Sequence, residues 1–461
     1  MRQFRPGNAV LVLGAALGVV VQAGLGTPGP SPEVDLTATA LVMGGTNQIL
    51  SVGPSTPLLI GDYVAHFNED FIAPTGLCVG GDPGCRLVAV YTPAQLPPFT
   101  GFADMTYDDS VGEGRVNLDN CIRGNTCVVT LPPHTSTGTQ SLTDTSYVVG
   151  GISQGAVIAG VQKSHLIAEP VAGRTVSFVL LANPNRPNGG LLERFVGAYI
   201  PVLGISFNGA TPTNSPQSAP LTTVDITRQY DGYSDVPTNP LNLLADLNAL
   251  MGAALLHDRY LDVDSPALLQ GQYRDTTYYL APTRLLPLLS PVAAVPVIGM
   301  PIAQLLDAPL RVLVEAGYDR TINPGQPTPA KYLYVPNPIK TAISFANAIP
   351  TGWDDAISYV SGDPLNRPFR TKPQPVYGVG GPPVYAGAVD PYGPPPQPTT
   401  SAAESTGAVV AARSTQRDIP PTASAMARTR EVSAQSPREI TRRAPAESAR
   451  AEGRQPRSGR T

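Results

Sequence analysis

A serine stands at the apex of Gly151-Ile152-Ser153-Gln154-Gly155, with the apolar run Tyr147-Val148-Val149 before it and Ala156-Val157-Ile158-Ala159-Gly160 after it. The order is strand, glycine-pinched turn, helix. A chain that ends a strand this way aims one hydroxyl out of a sheet, beside the free amides of a helix N-terminus. The five-residue pattern alone arises by chance in roughly a third of chains this long. The flanking strand and helix signals separate it from a plain structural glycine turn, and mark Ser153 as a candidate nucleophile.

Further strand-like runs lie at residues 36–43, 86–91, 146–149, 175–181 and 222–230, with helical stretches at 156–168 and 241–256. Strands alternating with helices predict an α/β fold with a mostly parallel central sheet covered on both faces. Ligands in such sheets sit at the C-terminal strand ends, where Gly45, Ser153 and Asp231 all fall. Residues 285–314 are apolar but carry Pro287, Pro291, Pro296, Pro301 and Pro309. Each proline is expected to break the helical pattern, so one continuous helix is excluded. Short apolar helices hinged by prolines suit a lid or an acyl-chain groove, and equally a roof over the core.

The termini read differently from this body. Arg2 and Arg5 precede an apolar stretch at 9–21 and the small residues Gln22-Ala23-Gly24, the pattern of an export signal. About thirteen apolar residues fall short of the roughly 20 that span a bilayer, leaving an uncleaved anchor as the alternative. The cleavage region has no cysteine nearby, which disfavours a lipoprotein. Residues 372–399 are dense in proline, glycine and tyrosine, and the remainder lacks apolar periodicity, as in disordered segments. The expected organisation is thus a signal peptide or membrane anchor at 1–30, an α/β domain at 31–371 and a disordered tail at 372–461. From Arg413 onward eleven arginines oppose five acids, so the net charge of −4 hides an acidic body of −10. That body gives no case for nucleic-acid binding. Cys78, Cys85, Cys121 and Cys127 allow three pairings. Their spacings fit Cys78–Cys85 and Cys121–Cys127 bridges in an oxidising compartment and do not match a zinc site.

A serine hydroxyl needs a base within hydrogen-bond reach and an acid to orient that base. In α/β-hydrolases the partners follow as acid, then histidine. His66 and His134 come too early, and His165 lies along the helix leaving the turn. That leaves His257 as base, after an apolar helix. Asp231, immediately off a strand end, is the preferred acid, with Asp235 as the alternative. Asp225 sits mid-strand, and Asp258, beside the histidine, is expected to point elsewhere. For the oxyanion, the amide of Gln154 and the loop Gly44-Gly45-Thr46 are the candidate donors, unless that loop is a simple turn.

Several segments resemble the PE-PPE domain, a cutinase-like α/β-hydrolase domain of mycobacteria and related actinobacteria. They are Val42-Met43-Gly44-Gly45-Thr46, the Ser153 elbow, Leu181-Ala182-Asn183-Pro184-Asn185-Arg186-Pro187-Asn188-Gly189-Gly190 and Tyr230 through Pro237. To these add residues 239–249, His257, and Val314-Glu315-Ala316-Gly317-Tyr318-Asp319-Arg320, so that the resemblance runs over residues 36–363. It implies a Ser153-Asp231-His257 triad acting on fatty-acyl esters, and, in some similar proteins, acyl transfer onto trehalose glycolipids at the cell envelope. The helical PE module expected before such a domain is replaced here by the export segment, and Pro32-Glu33 reads as incidental. The leading expectation is therefore an exported serine esterase or lipase-type hydrolase, secreted or associated with the envelope or membrane. An acyltransferase using glycolipid acceptors is the alternative, and a non-catalytic envelope-binding module the second. None requires a cofactor or metal.

Overall fold

A computed structural model describes residues 38–47, 60–78, 85–131, 136–260 and 267–384. The expected export segment, His134 and the tail beyond 384 lie outside the described residues. In chain order, β1 (Thr39–Met43), α1 (Ile60–Phe67) and β2 (Arg86–Ala89) precede α2 (Tyr107–Arg123). An antiparallel pair follows, β3 (Cys127–Leu131) and β4 (Ser136–Gln140), then β5 (Ser146–Ile152), α3 (Gln154–Ala168) and β6 (Thr175–Leu181). α4 (Leu191–Arg194), the hairpin of β7 (Tyr199–Ile200) and β8 (Ile205–Ser206), β9 (Thr223–Arg228) and α5 (Leu243–Leu255) come next. The remaining elements are β10 (Leu268–Tyr273), β11 (Thr276–Ala281), α6 (Ser290–Ala293), α7 (Gly299–Glu315) and α8 (Pro338–Ser361).

Seven strands form the main sheet in the order β10-β11-β9-β6-β5-β1-β2, parallel except for the β10–β11 pair. The apolar runs explain why. Successive residues of a strand face opposite sides, and here both sides are buried. Leu41, Met43 and Val149 pack on one face with Val111, Leu118 and Ile158 of α2 and α3. Ala40, Val42 and Val148 pack on the other with Val64 and Phe67 of α1. Burying each such branched side chain contributes about 1.5–3 kcal/mol, which fixes the register.

That register aligns the strand ends. Met43 pairs with Gly151, Ile152 with Leu181, and Leu181 with Ile226. The segments that follow β1, β5 and β9 therefore leave from one edge of the sheet. The chain runs outward from β1 to β2 and later returns to the other side of β1 as β5. This reversal is the switch point where a parallel sheet opens a crevice.

Both disulfides expected from the spacing form, Cys78–Cys85 and Cys121–Cys127, the second tying the end of α2 to β3. The proline-rich segment corrects one expectation. It is broken before residue 299, but α7 runs unbroken through Pro301 and Pro309. Pro301 lies in the first turn, where no amide bond is needed. Pro309 leaves the carbonyl of Leu305 without its helical donor, and there α8 crosses so closely that a Cβ on Gly352 would lie 2.1 Å from that oxygen. Between lid and roof, this segment takes the roof. Leu286, Leu289, Ala303 and Val314 bury Tyr230 and Tyr318 beneath them, and none of its residues lines the cleft at Ser153. Residues 372–384 lie on the body, with Val376 and Tyr377 buried beside Leu280. Among the described residues no helix is long and apolar enough to cross a membrane.

Candidate active site

β5 ends at Ile152 and α3 starts at Gln154, so Ser153 alone makes the turn, at φ 53° and ψ −116°. A residue with a side chain rarely adopts positive φ, and such strain collects at functional turns. The flanking glycines are steric necessities. A Cβ on Gly151 would stand 2.4 Å from the carbonyl of Gly155, and one on Gly155 would stand 2.6 Å from that of Gly44. The turn is thus pinched between its own helix and the loop after β1.

α5 brings the histidine. Gly252 presses on the end of β9, where a Cβ would meet the carbonyl of Tyr230 at 1.8 Å, so the helix lies flat against the turn that begins at Asp231. His257 follows and drops between that turn and the serine. Its Nε2 lies 2.7 Å from Ser153 Oγ. Its Nδ1 lies 2.9 Å from each carboxylate oxygen of Asp231. A carboxylate only accepts, so Nδ1 carries the proton and Nε2 is left to accept from the serine. The Tyr233 ring packs against the imidazole at 4.3 Å between centroids.

Asp231 is fully buried and held by neutral donors. The amide of Tyr233 donates to Oδ1 at 2.9 Å, and the hydroxyls of Ser234 and Tyr260 donate to Oδ2 at 2.9 and 2.7 Å. Burial pushes this carboxyl upward, but the charge and hydrogen bond of His257, with the Tyr233 and Tyr260 donors, hold it below the usual carboxylate range. Burial likewise disfavours the imidazolium, yet the Asp231 charge and hydrogen bond, with Asp258, raise the His257 pKa above its ordinary value.

Asp235, the alternative acid, is committed elsewhere. It accepts from the amide of Tyr230 at 2.8 Å and takes both arms of Arg320, at 2.6 and 3.0 Å. Asp225 pairs with the buried Arg186. His165 sits 3.6 Å from Asp119 and 3.7 Å from Glu169, and His66 is exposed at the end of α1. Asp258, expected to point elsewhere, lines the same cleft as Ser153.

Gln154 does more than its backbone suggests. Its side-chain amide donates to Thr46 Oγ1 at 3.3 Å and to the carbonyl of Gln95 at 3.0 Å, and its oxygen accepts from Ser110 at 3.0 Å. Because Gln154 fills an acceptor position on the Thr46 hydroxyl, the threonine proton is free to turn toward the cleft. The backbone amide of Gln154, first in α3, has no helical acceptor within reach. Sequence reading missed Tyr260, Ser234 and this glutamine network, because each acts through a side chain whose partner is set only by folding.

The cleft over Ser153 holds about 340 Å³. Its lining is largely apolar, including Leu96, Phe99, Leu191, Ile200, Ile205 and Phe207. Thr46, Asn47, Tyr233 and Asp258 add polar groups to it. Among the described residues no group of three or more His, Cys, Asp or Glu side chains could hold a metal ion.

The family model of the PE-PPE domain matches residues 83–319. The chain is 35% identical over 372 residues to esterase PE16 of Mycobacterium tuberculosis (strain ATCC 25618 / H37Rv), a match covering 77% of this chain and 65% of the relative. From the same organism, the SL1278 acyltransferase Chp1 is 29% identical over 309 residues, covering 63% of this chain and 65% of the relative. The diacyltrehalose acyltransferase Chp2 is 27% identical over 246 residues, covering 50% and 61%. The chain therefore spans 61–65% of the length of these relatives.

Proposed function

The chain belongs to the PE-PPE domain family, and from that membership and the cleft we propose that it is an exported serine esterase acting on fatty-acyl esters. The observation that carries the reading is the unbroken line Ser153 Oγ, His257 Nε2, His257 Nδ1, Asp231, with neither step longer than 2.9 Å. Ser153 Oγ attacks the acyl carbonyl while His257 Nε2 takes its proton. The Gln154 amide, with the Gly45-Thr46 loop and the Thr46 hydroxyl, stabilises the oxyanion. On collapse the ester C–O bond breaks, and the alcohol leaves with the proton from His257. Water then attacks the acyl-enzyme, gives its proton to the same nitrogen, and frees the acid and the serine. Asp231 keeps the imidazole in the required tautomer and balances its charge. The apolar lining takes the acyl chain. Two disulfides suit an oxidising compartment outside the cytoplasm.

A second reading is favoured by the polar groups of the lining. Asn47, and Asp258 next to His257 in the chain, line the cleft, where a sugar hydroxyl could replace water as the second nucleophile, as the names of the Chp relatives suggest for those proteins. The step balances equally, with an ester to the acceptor as product. A purely binding module would have no use for an aligned serine and imidazole.

The test is turnover of p-nitrophenyl esters of graded chain length by the full chain and by Ser153→Ala. Release of p-nitrophenol that falls to the buffer rate in the variant supports an acyl-enzyme. Equal rates for both proteins overturn it. Adding trehalose or an acylated trehalose and finding a new ester by mass spectrometry would select transfer over hydrolysis.

A further inference from the structure

We infer that the rim of the Ser153 cleft is a seating face that docks the protein onto the surface of an uncharged lipid aggregate. Three elements build it. In the loop between β2 and α2, Phe99 and Phe102 are 73% and 93% exposed. At the tip of the β7–β8 hairpin, Val202 is 85% exposed. Along α5, Leu243, Leu247 and Leu250 are 76%, 47% and 67% exposed, at the i, i+4, i+7 spacing of one helical stripe. Apolar side chains exposed singly need no explanation, but a cluster around a functional opening marks a contact surface.

The elements converge on one opening. Phe99, Ile200 at the foot of the hairpin, and Ala253, one turn beyond Leu250, all line the cleft above Ser153. The hairpin is fixed beside the loop, because the carbonyls of Leu203 and Gly204 accept from the amides of Tyr107 and Asp108 at 3.1 and 2.9 Å.

Charge selects the partner. Residues 96–105, 195–210 and 241–256 contain two acids, Asp104 and Asp246, and no lysine or arginine. Polybasic attraction to anionic headgroups is therefore absent from this face, and insertion of apolar side chains into the headgroup–acyl boundary is what remains. An acidic protein partner would find nothing here to pair with, and a basic one only Asp104 and Asp246. The direction of the inference rests on the ester-hydrolase reading, since a face at the mouth would let an acyl ester pass from lipid to Ser153 without crossing water.

The test separates binding from turnover. Full-length Ser153→Ala is floated with phosphatidylcholine vesicles, and with vesicles containing phosphatidylglycerol. It should partition to both alike. The variant Phe102→Ser/Val202→Ser/Leu247→Ser/Leu250→Ser, none of whose positions lines the cleft, should lose about tenfold or more in partition. With Ser153 intact, the same four changes should leave p-nitrophenyl acetate hydrolysis within about twofold of the parent. If they also abolish hydrolysis, Val202→Ser alone must still weaken partition. Unaltered partition in these variants, binding that appears only with phosphatidylglycerol, or a dimer that forms without any vesicle binding overturns the proposal. Partition without hydrolysis by the parent protein would sink the esterase reading and leave this one standing, and hydrolysis without partition would do the reverse.

Discussion

Asp231 and Asp235 sit four residues apart on one turn, both almost wholly buried, and they are solvated in opposite ways. Asp231 meets an amide, two hydroxyls and an imidazole, none of them permanently charged. Asp235 meets a guanidinium, which also holds Glu315 at 2.8 Å. A carboxylate neutralised by arginine has little field left for a third group. One held by neutral dipoles keeps its charge and can share it with a ring that gains and loses a proton. The turn thus separates an acid bonded to the imidazole from an acid bonded to arginine by choice of partner, since burial is nearly the same for both.

The comparison can be broken from either side. Asp231→Asn leaves the shape but removes the charge, and is expected to lower kcat for ester hydrolysis about 10⁴-fold in steady-state assays. Arg320→Met strips the other acid of its partner and leaves Asp235 and Glu315 buried and unpaired. About 3–5 kcal/mol of stability should go, read from the urea midpoint, while the folded fraction retains turnover. If that variant instead lost turnover at full stability, Asp235 would have to be counted with the working group.

Tyr260→Phe sharpens the contrast at smaller scale. Without that hydroxyl, Asp231 leans harder on His257. kcat/KM should fall about tenfold, and its acid limb should move to higher pH. In the parent that limb should lie above about pH 6.5, because the His257 pKa is raised and only the neutral ring accepts the serine proton. A fall in rate with an unmoved limb would mean a merely structural tyrosine. The same shifts set stability. The raised histidine contributes fully below about pH 6.5 and loses its contribution as pH climbs through its folded value. The depressed Asp231 contributes above about pH 3.9 and loses it as pH falls.

Much of the sheet was legible because a strand buried on both faces writes itself as a continuous apolar run, and because Gly151 and Gly155 are demanded by contacts a few residues away. Ser153, His257 and Asp231 could be named from local pattern and chain order, and His257 stands within hydrogen-bond distance of each of the other two. Asp231 could be preferred to Asp235 only by its place at the strand end, since what separates their surroundings is Arg320, far down the chain. Tyr260 was silent for the same reason. Pro309 misled because a helix can carry a proline where a neighbouring helix covers the freed carbonyl, and the covering glycine, Gly352, belongs to another element.

Residues 372–384 share in fastening the turn that carries both acids. Val376 accepts from Gln229 at 2.7 Å, and Tyr377 accepts from Gln270 at 2.7 Å while its ring lies under the Arg320 guanidinium at 4.7 Å. Composition would invite a protein engineer to trim the gene at 371, where proline and glycine begin to crowd. Such a cut would uncover the arginine that grips Asp235 and unlatch the floor on which the turn rests. The folded unit to express reaches at least residue 384.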